Sequence, residues 1–321
     1  MFRQSVFIAI AFLATGDFLT EAKVVSNLAV QDVVEADPTL PVTDKPSHRY
    51  QTCSYIGDPH LLPFSQPYTQ YWCKKSGWEL LLSNKYVTLY VLVDSSNTYY
   101  RIQDYMLIFP EPTSCTTGTS SNPVPCTGSS SPIITQTIGN TYIHFHNSQE
   151  LIIKIDYEGG YKNFFIWQSP KLVDESCGVC VRWNCDQEGL WMTPNPVVPQ
   201  LCQIYADSAR AHAIGKVDER IIELSQTQCI NDVQTTFDPK AAETALTLVL
   251  QDGLTNLFNG DESQQALLEK VQLVKQEAIK NAETKGRELL ANSKLVCNDR
   301  KICLSFDASS AAETTVKAKK K

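Results

Sequence analysis

The sequence predicts a mainly β fold: a disulfide-bonded antiparallel β-sandwich followed by a helical C-terminal region. Three observations carry this. From Cys53 to about residue 170, short runs of β-branched and aromatic residues alternate with turn residues. The chain of 321 residues holds 11 cysteines, a number that suits an oxidising compartment. Beyond Asp238 the apolar residues recur at helical rather than strand spacing.

Taken in order, residues 1–22 read as a secretory signal peptide. Arg3 supplies the positive start, and Val6 to Ala14 supply an apolar run too short to span a bilayer. Small residues allow cleavage after Gly16 or after Ala22. A secreted, extracellular product with no transmembrane segment is expected. Residues 23–50 carry Pro38, Pro41 and Pro46 and read as a linker or leader, within which Val24 to Val34 can pair as an edge strand. The sequon Asn-x-Ser/Thr does not occur, so ordinary N-glycosylation is not expected. A net charge of −7 and a pI of about 5.3 argue against a general nucleic-acid binder.

The strand region begins with Trp78 to Leu82 and Tyr86 to Val93, joined by Ser83-Asn84-Lys85. Tyr99 to Phe109 is a third strand. Ile133 to Ile138 and Thr141 to His146 flank the compact turn Gly139-Asn140. Leu151 to Asp156 and Asn163 to Trp167 flank Glu158-Gly159-Gly160. Residues 110–132, rich in Ser, Thr, Pro and Gly, interrupt the pattern. They read as an exposed loop clipped by a Cys115–Cys126 disulfide, with a mucin-like O-glycosylated patch as the alternative.

A cysteine-containing extension follows over residues 201–236, in which Cys202 and Cys229 bracket an alanine-rich helical piece, Tyr205 to Ile214. The helical region spans residues 237–296. Asp238 as N-cap and Pro239 at the first position start a helix that runs to about Gln251, before Gly253. A second helix begins near Asp261. Leu267, Val271, Val274 and Ala278 form one apolar stripe on it, too short for a coiled coil and suited to packing on its own domain. Residues 297–321 hold a small loop closed by Cys297 and Cys303, then a solvated basic tail, Lys317 to Lys321.

Two stretches organise the chain: Cys53-Ser54-Tyr55-Ile56-Gly57-Asp58-Pro59-His60 and the distant Cys177-Gly178-Val179-Cys180. The first reads as a tight turn entered from a cysteine, with Gly57 free to take unusual backbone angles and Pro59 fixed in its own. Together they resemble the two ends of a von Willebrand factor type D domain, which opens with a cysteine shortly before Gly-Asp-Pro-His and closes with Cys-Gly-Leu-Cys. The resemblance covers residues 51–200, with a weaker echo to about residue 245. It implies a Cys53–Cys180 bond, and a bond from Cys73 to a cysteine beyond the closing motif, Cys202 or Cys229. The family's partner for the first cysteine of the closing motif has no counterpart here, which leaves Cys185 as the nearest candidate for Cys177.

Many members of that family bind calcium. Here Ser65 stands where the family has a carboxylate and Arg182 where it has an amide. Calcium needs several oxygen ligands and is repelled by a guanidinium. A degenerate site at Asn184 and Asp186, with Glu188 nearby, is what remains, and calcium is not expected to bind.

No catalytic motif for a metalloprotease, serine hydrolase or phosphate-binding loop is present, so no enzyme is expected. His144 and His146 lie on one strand face with no third ligand and are expected at exposed or edge positions. The odd cysteine count leaves at least one thiol free or bonded to another chain. The leading expectation is a secreted structural or interaction protein of matrix, coat or mucus type, meeting extracellular proteins and forming a disulfide-linked oligomer. The alternatives are a carrier module for lipid or another small ligand, and thiol–disulfide exchange through Cys177 and Cys180.

Overall fold

The computed structural model describes residues 50–94, 100–110, 118–119, 133–146, 148–158, 161–190, 193–258, 263–294, 296–297 and 303–306. The expected signal peptide, the leader up to residue 49, Cys115 and Cys126 and the basic tail lie outside the described residues; within the expected exposed loop, Gly118–Thr119 is described and pairs with the strand Arg101–Ile108, so that part of it belongs to a sheet. Among those described, 39% are helical and 30% are in strands, so the expectation of a mainly β chain is corrected to α and β in comparable measure.

The first sheet has eight antiparallel strands. In chain order they are β1 (Gln51–Ile56), β2 (His60–Leu62), β3 (Tyr71–Trp72), β8 (Ile133–Ile138), β9 (Thr141–His146), β10 (Leu151–Glu158), β11 (Tyr161–Gln168) and β12 (Asp186–Gln187). Their order across the sheet is β12-β3-β2-β1-β11-β10-β9-β8. The second sheet is β4 (Gly77–Ser83), β5 (Thr88–Asp94), β6 (Arg101–Ile108) and β7 (Gly118–Thr119), in that order. Among the described residues the α-helices are α1 (Pro170–Asp174), which precedes β12, then α2 (Val197–His212), α3 (Glu219–Thr236), α4 (Ala242–Thr255) and α5 (Gln264–Ala291).

Strand alternation explains the layering. Tyr55, Ile153, Ile155, Phe164 and Ile166 point to the second sheet and share an apolar core with Leu81, Leu89, Val91 and Leu107. The alternate residues Ile152, Phe165 and Trp167 point the other way, into a second core built with the helices. The central strands of the large sheet are therefore covered on both faces, while its edge strands β12, β3 and β8 remain partly exposed. Leu151-Ile152-Ile153 and Phe164-Phe165-Ile166-Trp167 are unbroken apolar runs because neither of their faces meets water.

The helices do what their patterns require. Helix α4 is buried on nearly every side and lies at the centre of the helical layer. It continues through Gly253 to Thr255 rather than stopping at Gln251. The reason is local: a Cβ on Gly215 would lie 2.3 Å from the Gly253 carbonyl oxygen, so glycine here serves a close backbone crossing rather than a helix end. Asp238 caps a short 3₁₀ turn, its side chain accepting from the Lys240 amide. On α5 the buried stripe is Leu267, Val271, Lys275, Ala278 and Ala282, with Val274 only half-buried. A lysine occupies a core position because Asp156 of β10 lies beneath it, 3.4 Å from its Nζ. Lys154 also pairs with Asp156, whose remaining oxygen accepts from Thr141 Oγ1 at 2.7 Å. Burial would raise the Asp156 pKa, but the two lysines outweigh it and hold the carboxyl below the usual range. This ionic group ties the sheet to α5, and Gln272 Nε2 joins it through Thr141 at 2.8 Å.

Four disulfides connect described residues: Cys53–Cys180, Cys73–Cys185, Cys202–Cys229 and Cys297–Cys303. Two pairings depart from what the resemblance implied. Cys73 is bonded to Cys185, not to Cys202 or Cys229. The antiparallel pairing of β3 with β12 sets Trp72 opposite Asp186, and the next step of that register sets Cys73 opposite Cys185. Cys202 and Cys229 bond each other and staple α2 to α3. Cys177 is left without Cys185; among the described residues it is the free cysteine, and it is exposed.

Candidate functional site

The turn Gly57-Asp58-Pro59 joins β1 to β2 and delivers His60 into the interior. Gly57 takes φ +63° and its amide donates to Asn163 Oδ1 at 2.9 Å. A side chain at this position would be strained by the backbone angle and would crowd Asp232 and Gln228. The bend thus turns its small residue toward α3.

His60 is fully buried, its ring held between two carboxylates. Nδ1 lies 2.5 Å from Glu188 Oε2, and Nε2 lies 2.8 Å from Asp232 Oδ1. Burial alone would strip the ring of its proton, but Glu188 and Asp232 together outweigh it and hold the pKa well above the ordinary 6.5. His60 is therefore an imidazolium at neutral pH, donating from both ring nitrogens. Glu188 also accepts from Gln70 Nε2 at 2.6 Å and from Asn231 Nδ2 at 2.8 Å. Burial pushes its pKa up, and His60 with these donors reverses the shift. Asp232 is different: burial dominates, and its pKa stays raised despite His60.

Asp58 stands beside this group. Its Oδ1 accepts from the Tyr100 amide at 2.6 Å. Burial, then the charge of Asp232, pushes its pKa up to about 7. The cluster thus contains a histidine held toward its charged form and a carboxyl in Asp58 that changes charge near neutral pH. It joins the β1–β2 turn to the segment after β12 and to α3. Chemically it can take up and release a proton within a closed interior, and it can hold three separate chain segments in register.

The closing motif lies against the second sheet. The Val179 and Cys180 amides donate to the carbonyls of Leu80 and Leu81, at 2.9 and 3.1 Å, so the motif runs along β4 and covers its edge. Gly178 makes this possible: its φ is +114°, and a Cβ there would lie 2.6 Å from the Leu81 carbonyl oxygen. Replacing Gly178 with alanine is expected to lower stability by about 1–3 kcal/mol, the cost of a strained backbone position made worse by the clash. Thermal denaturation under non-reducing conditions checks this, and an unchanged melting temperature would show that the motif can move off β4 freely.

The remaining sequence-derived positions fall as follows. Asn184 and Asp186 are exposed, while the side chain of Glu188 is wholly buried against His60. Among the described residues no group of three or more His, Cys, Asp or Glu is placed to hold a metal ion. His144 is not at an exposed or edge position: β9 lies between β8 and β10, and the ring is buried beside Phe109 and Thr135. Burial lowers its pKa to about 4, so it is neutral there. His146 stacks on Tyr86 with centroids 3.7 Å apart. Glu188, Asn231 and Asp232 were not legible as partners of His60, since nothing in their local sequence marks them; only the absence of a solvated context around Gly-Asp-Pro-His hints at an interior histidine.

No family model matches the chain, and no curated protein matches it.

Proposed function

We propose that this chain is a secreted structural or interaction protein of matrix, coat or mucus type, whose two sheets form a β-sandwich of von Willebrand factor type D kind. The observation that carries the reading is the cysteine framework. The described residues hold four disulfides and leave one exposed thiol, Cys177, three residues from a fully buried disulfide partner, Cys180. Such bonding suits an oxidising compartment, and an exposed unpaired thiol there is a natural point for a bond to a second chain. No helix among the described residues is long and apolar enough to cross a membrane. The reading involves no calcium and no catalysis. Exchange chemistry through Cys177 and Cys180 is not proposed, because Cys180 is buried in its bond to Cys53.

The test is the oligomeric state of the exported full chain. Non-reducing electrophoresis should show a disulfide-linked species that is lost on reduction and lost in Cys177→Ser. A wild-type chain that stays monomeric with a titratable Cys177 thiol would count against the covalent-assembly part of the reading. The second reading, a small-ligand carrier, is favoured by one specific observation: a cavity of about 340 Å³ between the large sheet and the helices.

A further inference from the structure

The cavity lies where β1, the loop after β2, α3 and α4 meet. Its volume, about 340 Å³, falls in the range of small-molecule sites. Strand alternation sends Thr52 and Ser54 of β1 toward the helical layer at this point, although Tyr50 and Ile56 on the same face belong to its apolar core. Two hydroxyl-bearing residues thus replace apolar ones where the wall of the cavity runs. From the opposite side α4 contributes Gln251, which is 1% exposed, and neither atom of its carboxamide has a hydrogen-bond partner. Burying an amide without partners is costly, and only packing holds this one in the wall. Rotation about its side-chain torsions presents a donor and an acceptor, side by side, to whatever fills the space.

The charge and shape of the site narrow the occupant. Asp252 is the charged residue among those lining the cavity, and no lysine, arginine or histidine joins it. Its Oδ2 accepts from the Asp218 amide at 2.8 Å, and burial raises its pKa. Arg220 lies behind the Tyr68 ring, 3.5 Å from its centroid, and partly offsets Asp252, but it does not line the cavity, so an anion would meet the carboxyl first. Phe64 and Tyr68 supply aromatic wall on the sheet side. We propose that this cavity binds a small uncharged molecule with an amide edge, an N–H donor beside a carbonyl acceptor, on an aromatic or apolar body, and that Gln251 is the residue that recognises the edge. The proposal rests on the carrier reading and is independent of any bond made by Cys177.

Benzamide, acetophenone and benzoate, added separately to the full chain, test it. They share a body and differ in the edge: amide, carbonyl without a donor, and anion. The reporter is Trp167, whose Nε1 donates to Thr255 Oγ1 at 2.7 Å, on the cavity wall; its indole N–H resonance should shift on binding. Benzamide should bind roughly tenfold more tightly than acetophenone, and benzoate more weakly than either. In Gln251→Leu the gap between benzamide and acetophenone should vanish while acetophenone still binds. The variant should also melt a few degrees higher, roughly, since an unpartnered buried amide is gone. Equal binding of benzamide and acetophenone to the wild type, a gap that survives Gln251→Leu, or a Gln251→Leu chain that no longer folds would each overturn the assignment to Gln251 and leave the carrier reading standing. Failure of all three probes to move the Trp167 resonance would overturn both.

Discussion

His60→Ala is expected to destabilise the fold by about 3–5 kcal/mol at pH 7, the size of effect seen when one member of a buried ion group is removed. Glu188 and Asp232 would then face each other without the cation between them, and Gln70 and Asn231 would be left holding a carboxylate whose main partner is gone. The melting temperature should fall by roughly 10 °C on the scale of a folded unit of this size. A change within about 2 °C on that same scale would mean that the cluster is not carrying the junction.

The same cluster fixes a sign for pH. His60 has a raised pKa, so its contribution is fully present below its unfolded pKa of 6.5 and is lost as pH rises through its higher folded value. Asp58 is also raised, from 3.8 to about 7. Its folded form holds a proton that the unfolded chain has released, so stability declines as pH rises through that window. Asp58→Asn keeps the group neutral and retains an oxygen for the Tyr100 amide. The variant should match the wild type near pH 4 and be the more stable of the two at pH 8. His144, lowered to about 4, works in the opposite sense: the stability it contributes is lost as pH falls toward that value. The comparison must therefore be between variant and wild type at each pH, and parallel curves from pH 4 to pH 8 would refute the assignment of the slope to Asp58.

Loss of the Cys53–Cys180 bond in the double variant Cys53→Ala, Cys180→Ala is the second large effect. The bond joins positions 127 residues apart, which on loop-closure entropy alone is worth about 5 kcal/mol. The neighbouring Cys73–Cys185 bond reduces this. With it intact, the detour from Cys53 to Cys180 runs 20 residues to Cys73 and 5 back from Cys185, so the effective loop is short and the expected loss is about 3–4 kcal/mol. Removing both bonds should cost more than the sum of the two single losses, because each shortens the loop of the other. Calorimetric melts of the two double variants and the quadruple variant would read this directly; strict additivity would show that the two bonds constrain separate parts of the unfolded chain.

Much of the strand region was legible because period-two alternation and turn pairs such as Gly139-Asn140 act locally. The helix start at Asp238-Pro239 was legible for the same reason. What escaped was everything set by distance in the chain. Glu188 and Asp232 lie 128 and 172 residues from His60, and no local rule joins them. Lys275 reads as a solvated residue until Asp156 is placed beneath it. The second buried face of the large sheet did leave a trace, in the unbroken runs around Ile153 and Phe165, but a run of that kind is shared by strands and buried helices alike. The bond from Cys73 followed strand register, which spacing along the chain does not encode.

A sheet that is the middle of three layers has no spare side to offer. A macromolecular partner, unlike a small molecule in the cavity, must be met on rims, on the outer surface of the small sheet or on the helices, and the strands carrying Trp167 and Phe165 cannot be excised from the helices without turning those rings out into solvent. Hydrophobic matter so exposed would invite clumping rather than recognition. Handled in the laboratory, the strands and the C-terminal helices are best kept as one indivisible piece.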